Sequence, residues 1–159
     1  MRRSAFSTTA ATLALIAGTL LGSAARSADD AGAASADTVA RGQYLVTIAG
    51  CNDCHTPLKM GPTGPEPDMD RMLSGHPQNL AMPAPPKLPD GPWLVTAAAT
   101  NTAWSGPWGV SFTANLTPDP ETGLGRWTLR NFMDTIRSGR HLGRGRPILP
   151  PMPYPMYKH

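Results

Sequence analysis

The sequence predicts a single small, mainly α domain with few helices and long proline- and glycine-rich loops. The chain has 159 residues, of which 18 are proline and 16 are glycine, and these types disfavour the interior of regular elements. Only 6% of the residues are aromatic and 16% are charged. Two segments nevertheless carry apolar residues at helical spacing. Because this composition provides little material for a large apolar core, we expect something besides side-chain packing to hold the domain together.

The first 27 residues have the features of a secretory signal peptide. Arg2 and Arg3 precede an apolar run at residues 10–21, and small residues follow as far as Ser27. No apolar run in the chain reaches the roughly 18 residues that a membrane-spanning helix needs. We therefore expect residues 1–27 to be removed after export. The mature domain is then residues 28–159, without a transmembrane helix.

The basic character of the whole chain comes from this predicted signal peptide. The formal net charge is +3, but Arg2, Arg3 and Arg26 lie in the first 27 residues, and the remaining charges balance. We therefore expect no nucleic-acid partner. The charge of the mature domain is uneven, because residues 126–159 contain seven basic side chains and one acidic side chain. Such an asymmetry can orient a docking partner, although a solvated basic surface is at least as common.

Residues 37–50 are predicted to form the first helix. Apolar side chains recur there at helical spacing, Asp37 is a candidate N-cap and Gly50 is a candidate stop. The helix runs directly into the two cysteines of the chain. Residues 57–92 are rich in proline, glycine and methionine without sustained periodicity, and are predicted to be a long irregular excursion. A loop of that length in a small domain more often wraps something than links two domains.

The second half of the chain contains one strand-like stretch, at residues 110–112, and one further helix. The helix is predicted from an apolar stripe at helical spacing, formed by Leu129, Phe132, Met133 and Ile136. Thr128 is its candidate cap and Gly139 its candidate end. A turn is predicted at residues 117–120, and residues 140–159 are predicted to be loop.

The most informative motif is Cys51-Asn52-Asp53-Cys54-His55, which contains both cysteines of the chain. Cys-x-x-Cys-His is the attachment sequence of c-type haem. Two thiols three positions apart on a helical turn can each add to one vinyl group of the same porphyrin. His55 then offers an imidazole nitrogen to the iron. A covalently held macrocycle would also supply the core that the composition lacks.

Other uses of the two cysteines are weaker. A thioredoxin-like dithiol needs a βαβ scaffold, a structural zinc site needs further ligands, and a disulfide across two residues stabilises little. We therefore predict one covalent haem (heme c) and its iron as the cofactor, with Cys51, Cys54 and His55 as binding residues and His55 as a metal ligand.

The second axial ligand of the iron is predicted to be Met152. Three prolines surround it in Pro150-Pro151-Met152-Pro153, and their fixed φ angles stiffen a loop that presents a weak thioether ligand. Met133 belongs to the apolar helical stripe, so ordinary packing explains it better. Ligation by two histidines, through His76 or His141, is the minor alternative. The remaining candidates are Met60, Met69, Met72, Met82, Met156 and His159.

Three tryptophans could line the haem or donate an indole N–H to a propionate, and burial as ordinary core explains them equally well. They are Trp104, Trp108 and Trp127.

Six segments occur in a characteristic order: RGQYL at 41–45, CNDCHT at 51–56, GPWG at 106–109, NLTPD at 115–119, TGLGRWT at 122–128 and PMPY at 151–154. This set resembles the mono-haem c-type cytochromes of bacterial periplasms, especially the cytochrome subunits of membrane-associated alcohol and sugar dehydrogenases. The resemblance covers nearly all of the mature chain. It implies a class I-like cytochrome c fold around one haem, with thioether bonds at Cys51 and Cys54, His55 as proximal ligand and Met152 as distal ligand. It also implies a helix after the methionine loop, and because no helical pattern follows Met152, we expect that C-terminal helix to be missing.

With both axial positions filled, the iron is closed to substrate, so the predicted role is electron transport and not catalysis. We expect a periplasmic electron carrier, or a subunit of a dehydrogenase complex. It would take electrons from a periplasmic dehydrogenase and pass them to a downstream cytochrome or oxidase, toward the respiratory chain. The alternatives are a haem enzyme or gas sensor with a displaceable distal ligand, a thiol-disulfide oxidoreductase, and an inactive truncated cytochrome fragment.

Overall fold

The computed structural model describes residues 34–157, and the predicted signal peptide lies outside them. Three α-helices are present in this part of the chain: α1 (Ala36–Ile48), α2 (Cys51–His55) and α3 (Leu129–Ser138). Single turns of 3-10 helix occupy Met69–Arg71, His141–Gly143 and Tyr154–Met156. None of the helices within residues 34–157 has the length and apolarity that crossing a bilayer requires.

Helix α1 lies where the apolar spacing predicted the first helix, but Ser35 caps it and Asp37 does not. The Ser35 hydroxyl accepts the backbone N–H of Thr38 at 3.2 Å, while Asp37 lies in the first turn. Its carboxylate there still favours the helix through the dipole. The helix ends at Ile48, and Gly50 then adopts a left-handed conformation with φ 65°.

Helix α3 confirms both of its predicted ends. The Thr128 hydroxyl accepts the N–H of Asn131 at 3.1 Å, and the Asn131 side chain accepts the N–H of Thr128 at 3.1 Å, which forms a reciprocal capping box. Gly139 terminates the helix with φ 67°, a conformation that glycine adopts without a Cβ penalty.

Two small antiparallel sheets accompany the helices. Strands β1 (Leu58–Gly61) and β2 (Gly64–Pro67) form a hairpin, and strands β3 (Thr96–Ala97), β4 (Ala103–Gly106) and β5 (Gly109–Phe112) form a sheet in the order β3-β4-β5. Strand β5 contains the predicted strand. The β1-β2 hairpin lies inside the segment that was predicted to be irregular.

The predicted plan of few helices joined by long loops is therefore confirmed, although helix does not predominate among the described residues. Short hairpins such as β4-β5 satisfy backbone hydrogen bonds locally, across a turn of two residues, where proline and glycine prevent a helix. The prediction of a long irregular excursion also holds for its second half, because residues 77–95 form no helix or strand.

The described chain buries very little apolar surface by itself. Apart from proline and glycine, Ala103 and Trp104 of β4 are the only apolar residues that are buried in residues 34–157. Several large apolar side chains on α1 and α3 remain exposed: Val39, Tyr44, Leu45, Ile48, Leu129 and Phe132. Because contiguous exposed apolar surface on a small domain marks a binding face, both helices are candidates for covering a further apolar group.

A compact loop formed by residues 115–127 leads into α3. The Asp119 Oδ1 accepts three hydrogen bonds, from the N–H of Glu121 at 3.0 Å and from the N–H and hydroxyl of Thr122 at 2.7 and 2.9 Å. Cβ atoms at Gly123 and Gly125 would overlap backbone carbonyls of the same loop. Residues 117–120 (TPDP) and residues 122–125 (TGLG) thus form one tight turn.

We expect Asp119→Ala to lower the thermal unfolding midpoint at neutral pH. The hydrogen bonds from Thr122 and Glu121 lower the pKa of Asp119 below its ordinary value of 3.8. Since the folded pKa is lowered, the stabilisation is present above the unfolded pKa and is lost as pH falls through the folded pKa. The difference in midpoint between the parent and the variant should therefore shrink toward zero in acid.

Glu121→Ala is the matched control, because Glu121 contributes its backbone N–H to this turn and that group survives the substitution. Thermal unfolding followed by circular dichroism across an acid series measures both variants. An equal midpoint difference at neutral and acid pH would contradict the role of the Asp119 charge.

Candidate functional site

The Cys-x-x-Cys-His segment forms a helical turn of its own. Gly50 has φ 65° and separates α1 from α2, so that the chain can turn sharply before Cys51. Cys51 and Cys54 are three positions apart in α2 and therefore lie on one face of the helix. Both are free cysteines and half-buried. Two free thiols are thus presented side by side, as attachment to one macrocycle requires.

Burial raises the pKa of both thiols. It is the largest cause for Cys51 and for Cys54, and the Asp53 carboxylate between them raises both pKa values further. The nucleophilic cysteine of a thiol-disulfide oxidoreductase has a lowered pKa. The electrostatic environment of these cysteines is thus opposite to that of a redox-active dithiol.

His55 is buried, and its ring is held by a long-range hydrogen bond. Its Nδ1 lies 2.9 Å from the carbonyl oxygen of Ala114. Burial lowers the pKa of His55, and the hydrogen bond to Ala114 offsets this only in part. Because a carbonyl only accepts, Nδ1 carries the proton in the neutral ring and Nε2 keeps its lone pair. This is the tautomer and orientation in which a histidine binds a metal.

The backbone around Ala114 is held against the segment that follows the motif. Residues 73–76 run beside residues 113–116, with hydrogen bonds from the N–H of His76 to Thr113 at 3.1 Å and from the N–H of Leu116 to Leu73 at 2.8 Å. The N–H of Gly75 donates to the carbonyl of His55 at 2.8 Å. These contacts fix the position of the Ala114 carbonyl relative to the imidazole.

Gly75 sits where these two segments are closest. Its φ is +73°, and a Cβ there would lie 2.6 Å from the carbonyl carbon and oxygen of Ala114. Thr56, which has 0% exposure, adds a second link: its hydroxyl donates to Asn52 at 2.8 Å and accepts the N–H of Leu73 at 2.9 Å. The chain is therefore packed so closely at Gly75 that a side chain has no room there, and Thr56 links the same segment to α2.

Met152 lies in a loop, residues 150–157, that is tied to three other parts of the chain. We call this segment the methionine loop. Before it, the Ser111 hydroxyl donates to the carbonyl of Pro150 at 2.7 Å. After it, the ring of Tyr154 packs so closely on Gly139 that a Cβ would overlap it, and the Tyr157 hydroxyl donates to the carbonyl of Ala49 at 3.0 Å. Tyr157 therefore brings the end of this loop to the residue that precedes Gly50 and Cys51. Met152 itself is half-buried.

The other candidate ligands have different surroundings. Both ring nitrogens of His76 are engaged, Nδ1 with the Thr102 hydroxyl at 2.9 Å and Nε2 with the carbonyl of Leu80 at 3.0 Å. His141 is exposed and packs edge-on against Trp127. Met133 is half-buried in α3, among the apolar residues of that helix. His76 thus has no ring nitrogen left for a metal in this arrangement.

The three tryptophans have separate roles. Trp104 is buried in β4, Trp127 contacts His141, and the indole N–H of Trp108 donates to the Ser111 hydroxyl at 3.2 Å. From the sequence alone, burial in the core and a hydrogen bond from the indole to a haem propionate had explained this tryptophan equally well.

Four residues that shape the site were not predicted from the sequence: Gly75, Ser111, Ala114 and Tyr157. The only sequence signal for two of them was proximity to a motif: Ala114 directly precedes the NLTPD segment, and Tyr157 follows Met152 by five residues. Each acts through a contact between distant parts of the chain, so local spacing does not reveal it.

Within residues 34–157, no group of three or more histidine, cysteine, aspartate or glutamate side chains is placed to hold a metal ion. A porphyrin supplies four of the iron ligands itself and needs only axial ligands from the protein. A free thiol pair, a neutral buried imidazole and exposed apolar helix faces are the features that a covalently attached haem requires. The residues present therefore fit this group.

We expect Gly75→Ala to displace the Ala114 carbonyl from His55. The variant combines backbone strain with an overlap against Ala114, and should lose roughly 3 kcal/mol of unfolding free energy. Chemical denaturation measures this loss, and the NMR signal of the hydrogen-bonded Nδ1 proton of His55 reports the displaced contact.

Gly64→Ala is the control, because Gly64 also has a positive φ, of 136°, but a Cβ there meets no atom within 4 Å. This variant should keep the Nδ1 proton signal while it loses stability from backbone strain alone. If Gly75→Ala kept the same signal, the proposed constraint on Ala114 would be wrong.

No protein-family model matches the chain, and no solved structure is significantly similar to it. Curated relatives are found, however. The chain is 27% identical over 148 residues, 93% of its length, to the cytochrome c subunit of a quinone-dependent alcohol dehydrogenase from Gluconobacter oxydans. It is 30% identical over 145 residues, 91% of its length, to the gluconate 2-dehydrogenase cytochrome c subunit from Pantoea cypripedii.

A shorter match, of 64 residues or 40% of the chain at 39% identity, is to one of the subunits of nicotinate dehydrogenase from Pseudomonas putida. The chain spans only part of each relative: 22% of the alcohol dehydrogenase subunit, 24% of the gluconate dehydrogenase subunit and 5% of the nicotinate dehydrogenase subunit. Over about nine-tenths of its length, the chain is thus similar to cytochrome c subunits of bacterial dehydrogenases, and this confirms the resemblance that the ordered motifs indicated.

Proposed function

We propose that residues 28–159 form an electron-transfer domain that carries one covalently attached haem c in the periplasm. In this proposal Cys51 and Cys54 form the thioether bonds, and His55 and Met152 are the axial iron ligands. The observation that carries the proposal is the state of His55, which is buried, neutral and oriented through Nδ1 by Ala114. The similarity to cytochrome c subunits supports it independently.

The bound haem would supply a one-electron Fe(III)/Fe(II) couple. The residues of the chain then determine how that couple behaves. His55 would bind the iron through the lone pair of Nε2. Its Nδ1–H donates a hydrogen bond to the carbonyl of Ala114, which increases the basicity of the imidazole. The sulfur of Met152, as the second ligand, would favour the reduced iron and would raise the potential relative to two histidine ligands. If His55 and Met152 both bound the iron, substrate and oxygen would have no open position on it, which would favour electron transfer over catalysis.

The exposed apolar residues of α1 and α3 suit this proposal. Side chains such as Ile48, 61% exposed, and Leu129, 75% exposed, each gain roughly 1.5–3 kcal/mol when an apolar surface covers them completely. A porphyrin is a flat apolar surface of that kind. Because its attachment is covalent, a domain with few buried side chains would keep it after export.

The proposed electron donor is a dehydrogenase, because the relatives are subunits of dehydrogenases. The uneven charge gives a docking surface for such a partner. Arg137, Arg140 and Arg144 are exposed on α3 and the loop that follows it, while Asp134 forms an ion pair with Arg130 at 2.9 Å. Arginine-rich surfaces of this kind steer association with acidic surfaces. A downstream cytochrome or oxidase is the proposed acceptor.

The test is expression of the chain with a haem maturation system, followed by spectroscopy. We expect the red colour to survive denaturation, because the haem is covalently attached, and the ferric protein to show the weak far-red absorption band of a methionine-ligated haem. Met152→Ala should abolish this band and leave attachment intact, since the thiols are unchanged.

Met133→Ala is the matched control, because it removes another half-buried methionine and should leave the band in place. Rapid binding of carbon monoxide to the reduced parent protein would instead favour a haem enzyme or gas sensor with an open distal position. Recovery of colourless protein with two free thiols from maturation-competent cells would refute the proposed function.

A further inference from the structure

Ser111 occupies a position between two distant parts of the chain. It lies in β5, opposite Trp104 of β4, which is the largest buried apolar residue of the described part. The Ser111 hydroxyl donates to the carbonyl of Pro150 at 2.7 Å, two residues before Met152. The half-buried Ser111, which pairs across the sheet with the buried Trp104, therefore links strand β5 directly to the loop that contains Met152.

Trp108 orients this hydroxyl. Its indole N–H donates to the Ser111 oxygen at 3.2 Å. Because that N–H occupies a lone pair of the oxygen, the hydroxyl proton is left to point toward Pro150. The two hydrogen bonds form a chain, Trp108 to Ser111 to Pro150, in which each bond polarises the next.

The turn between β4 and β5 places Trp108 for this contact. Gly106 pairs with Gly109 across the turn, and the Trp108 ring lies over Gly106, where a Cβ would be 2.6 Å from the ring. Gly109 has φ 95°, which a residue with a side chain rarely adopts. The GPWG segment thus bends the chain so that the indole covers the turn and reaches the next strand.

We propose that Ser111 is a positioning residue for the distal ligand, and that Trp108 and the GPWG turn act through it. This inference rests on the proposed function, in which Met152 binds the haem iron. A thioether binds iron weakly, so the fraction of iron that it holds depends on how well the protein fixes its position. Fixing the Pro150 carbonyl restricts the loop immediately before Met152, and this lowers the entropy that ligation would otherwise cost.

The contact differs in kind from the two that follow Met152. Tyr154 packs on Gly139 and Tyr157 bonds to Ala49, so both restrain the far end of the loop. Without the Ser111 bond, the nearest restraint before Met152 would be the hydrogen bond from the N–H of Ile148 to the carbonyl of Gly139 at 2.8 Å, four residues away. The loss should therefore appear as easier displacement of Met152 and not as a general loss of the fold.

The experiment compares Ser111→Thr with Ser111→Val in the haem-loaded protein. The two variants have nearly the same shape in a strand, and only threonine keeps the hydroxyl. Exogenous imidazole, which competes with a methionine ligand for ferric iron, is the probe. Loss of one hydrogen bond should make imidazole bind about fivefold more tightly to the valine variant than to the threonine variant. The far-red band should be weaker in the valine variant and restored in the threonine variant.

Ser138→Ala is the structural control. The Ser138 hydroxyl also donates to a backbone carbonyl, that of Asp134 at 2.6 Å, but this bond lies within α3. The variant should keep the imidazole affinity of the parent protein. Trp108→Phe provides a second measurement: it removes the indole N–H and keeps an aromatic ring, so imidazole should bind more tightly than to the parent, by less than in the Ser111→Val variant. This comparison decides the question if the valine variant fails to mature.

Met152→Ala separates the failure of this inference from the failure of the proposed function. If Met152→Ala binds imidazole much more tightly than the parent, and the two Ser111 variants bind it equally, Met152 is the ligand and Ser111 does not position it. If Met152→Ala leaves both the band and the imidazole affinity unchanged, the ligand assignment fails and the role of Ser111 fails with it.

Discussion

The hydrogen bond between His55 and Ala114 is the contact on which the candidate site depends. It joins residues 59 positions apart and settles both the protonated nitrogen and the direction of the ring. The sequence between them contains both sheets of the described part, so the path of the chain through these sheets brings Ala114 to the imidazole. Two of their connections are turns of two residues, which reverse the chain within a short length.

The local elements of the fold could be predicted because their signals are local. The stripe that ends at Ile136, the cap at Thr128 and the stop at Gly139 lie within one helix, and all three were confirmed. The cap of α1 was assigned to Asp37, two residues too late, because serine and aspartate are both good caps and the spacing alone does not distinguish them. The β1-β2 hairpin was missed since proline and glycine at its turn resemble a loop.

The Cys-x-x-Cys-His motif could be recognised in the sequence as a candidate haem attachment site because the chemistry of attachment fixes its spacing. What holds it could not, because Gly75, Ala114 and Ser111 act through backbone atoms or a small hydroxyl. Such contacts leave no periodic trace. The high glycine content does have a physical meaning in retrospect: at Gly75, Gly106 and Gly139 another part of the chain occupies the place of a side chain.

One short segment, residues 111–114, is linked to both of the proposed iron ligands. Ser111 bonds to the loop of Met152, and Ala114, three residues later, bonds to His55. Three residues of extended chain cover only about 10 Å, so a displacement of this segment would be transmitted both to the ring of His55 and to the loop of Met152. The weak thioether ligand and the strong imidazole ligand of the proposal would then both be positioned by residues 111–114. If His55 and Met152 bind the iron as proposed, this shared segment would limit how far the two ligands shift when the charge of the iron changes, and fast electron transfer requires such small shifts.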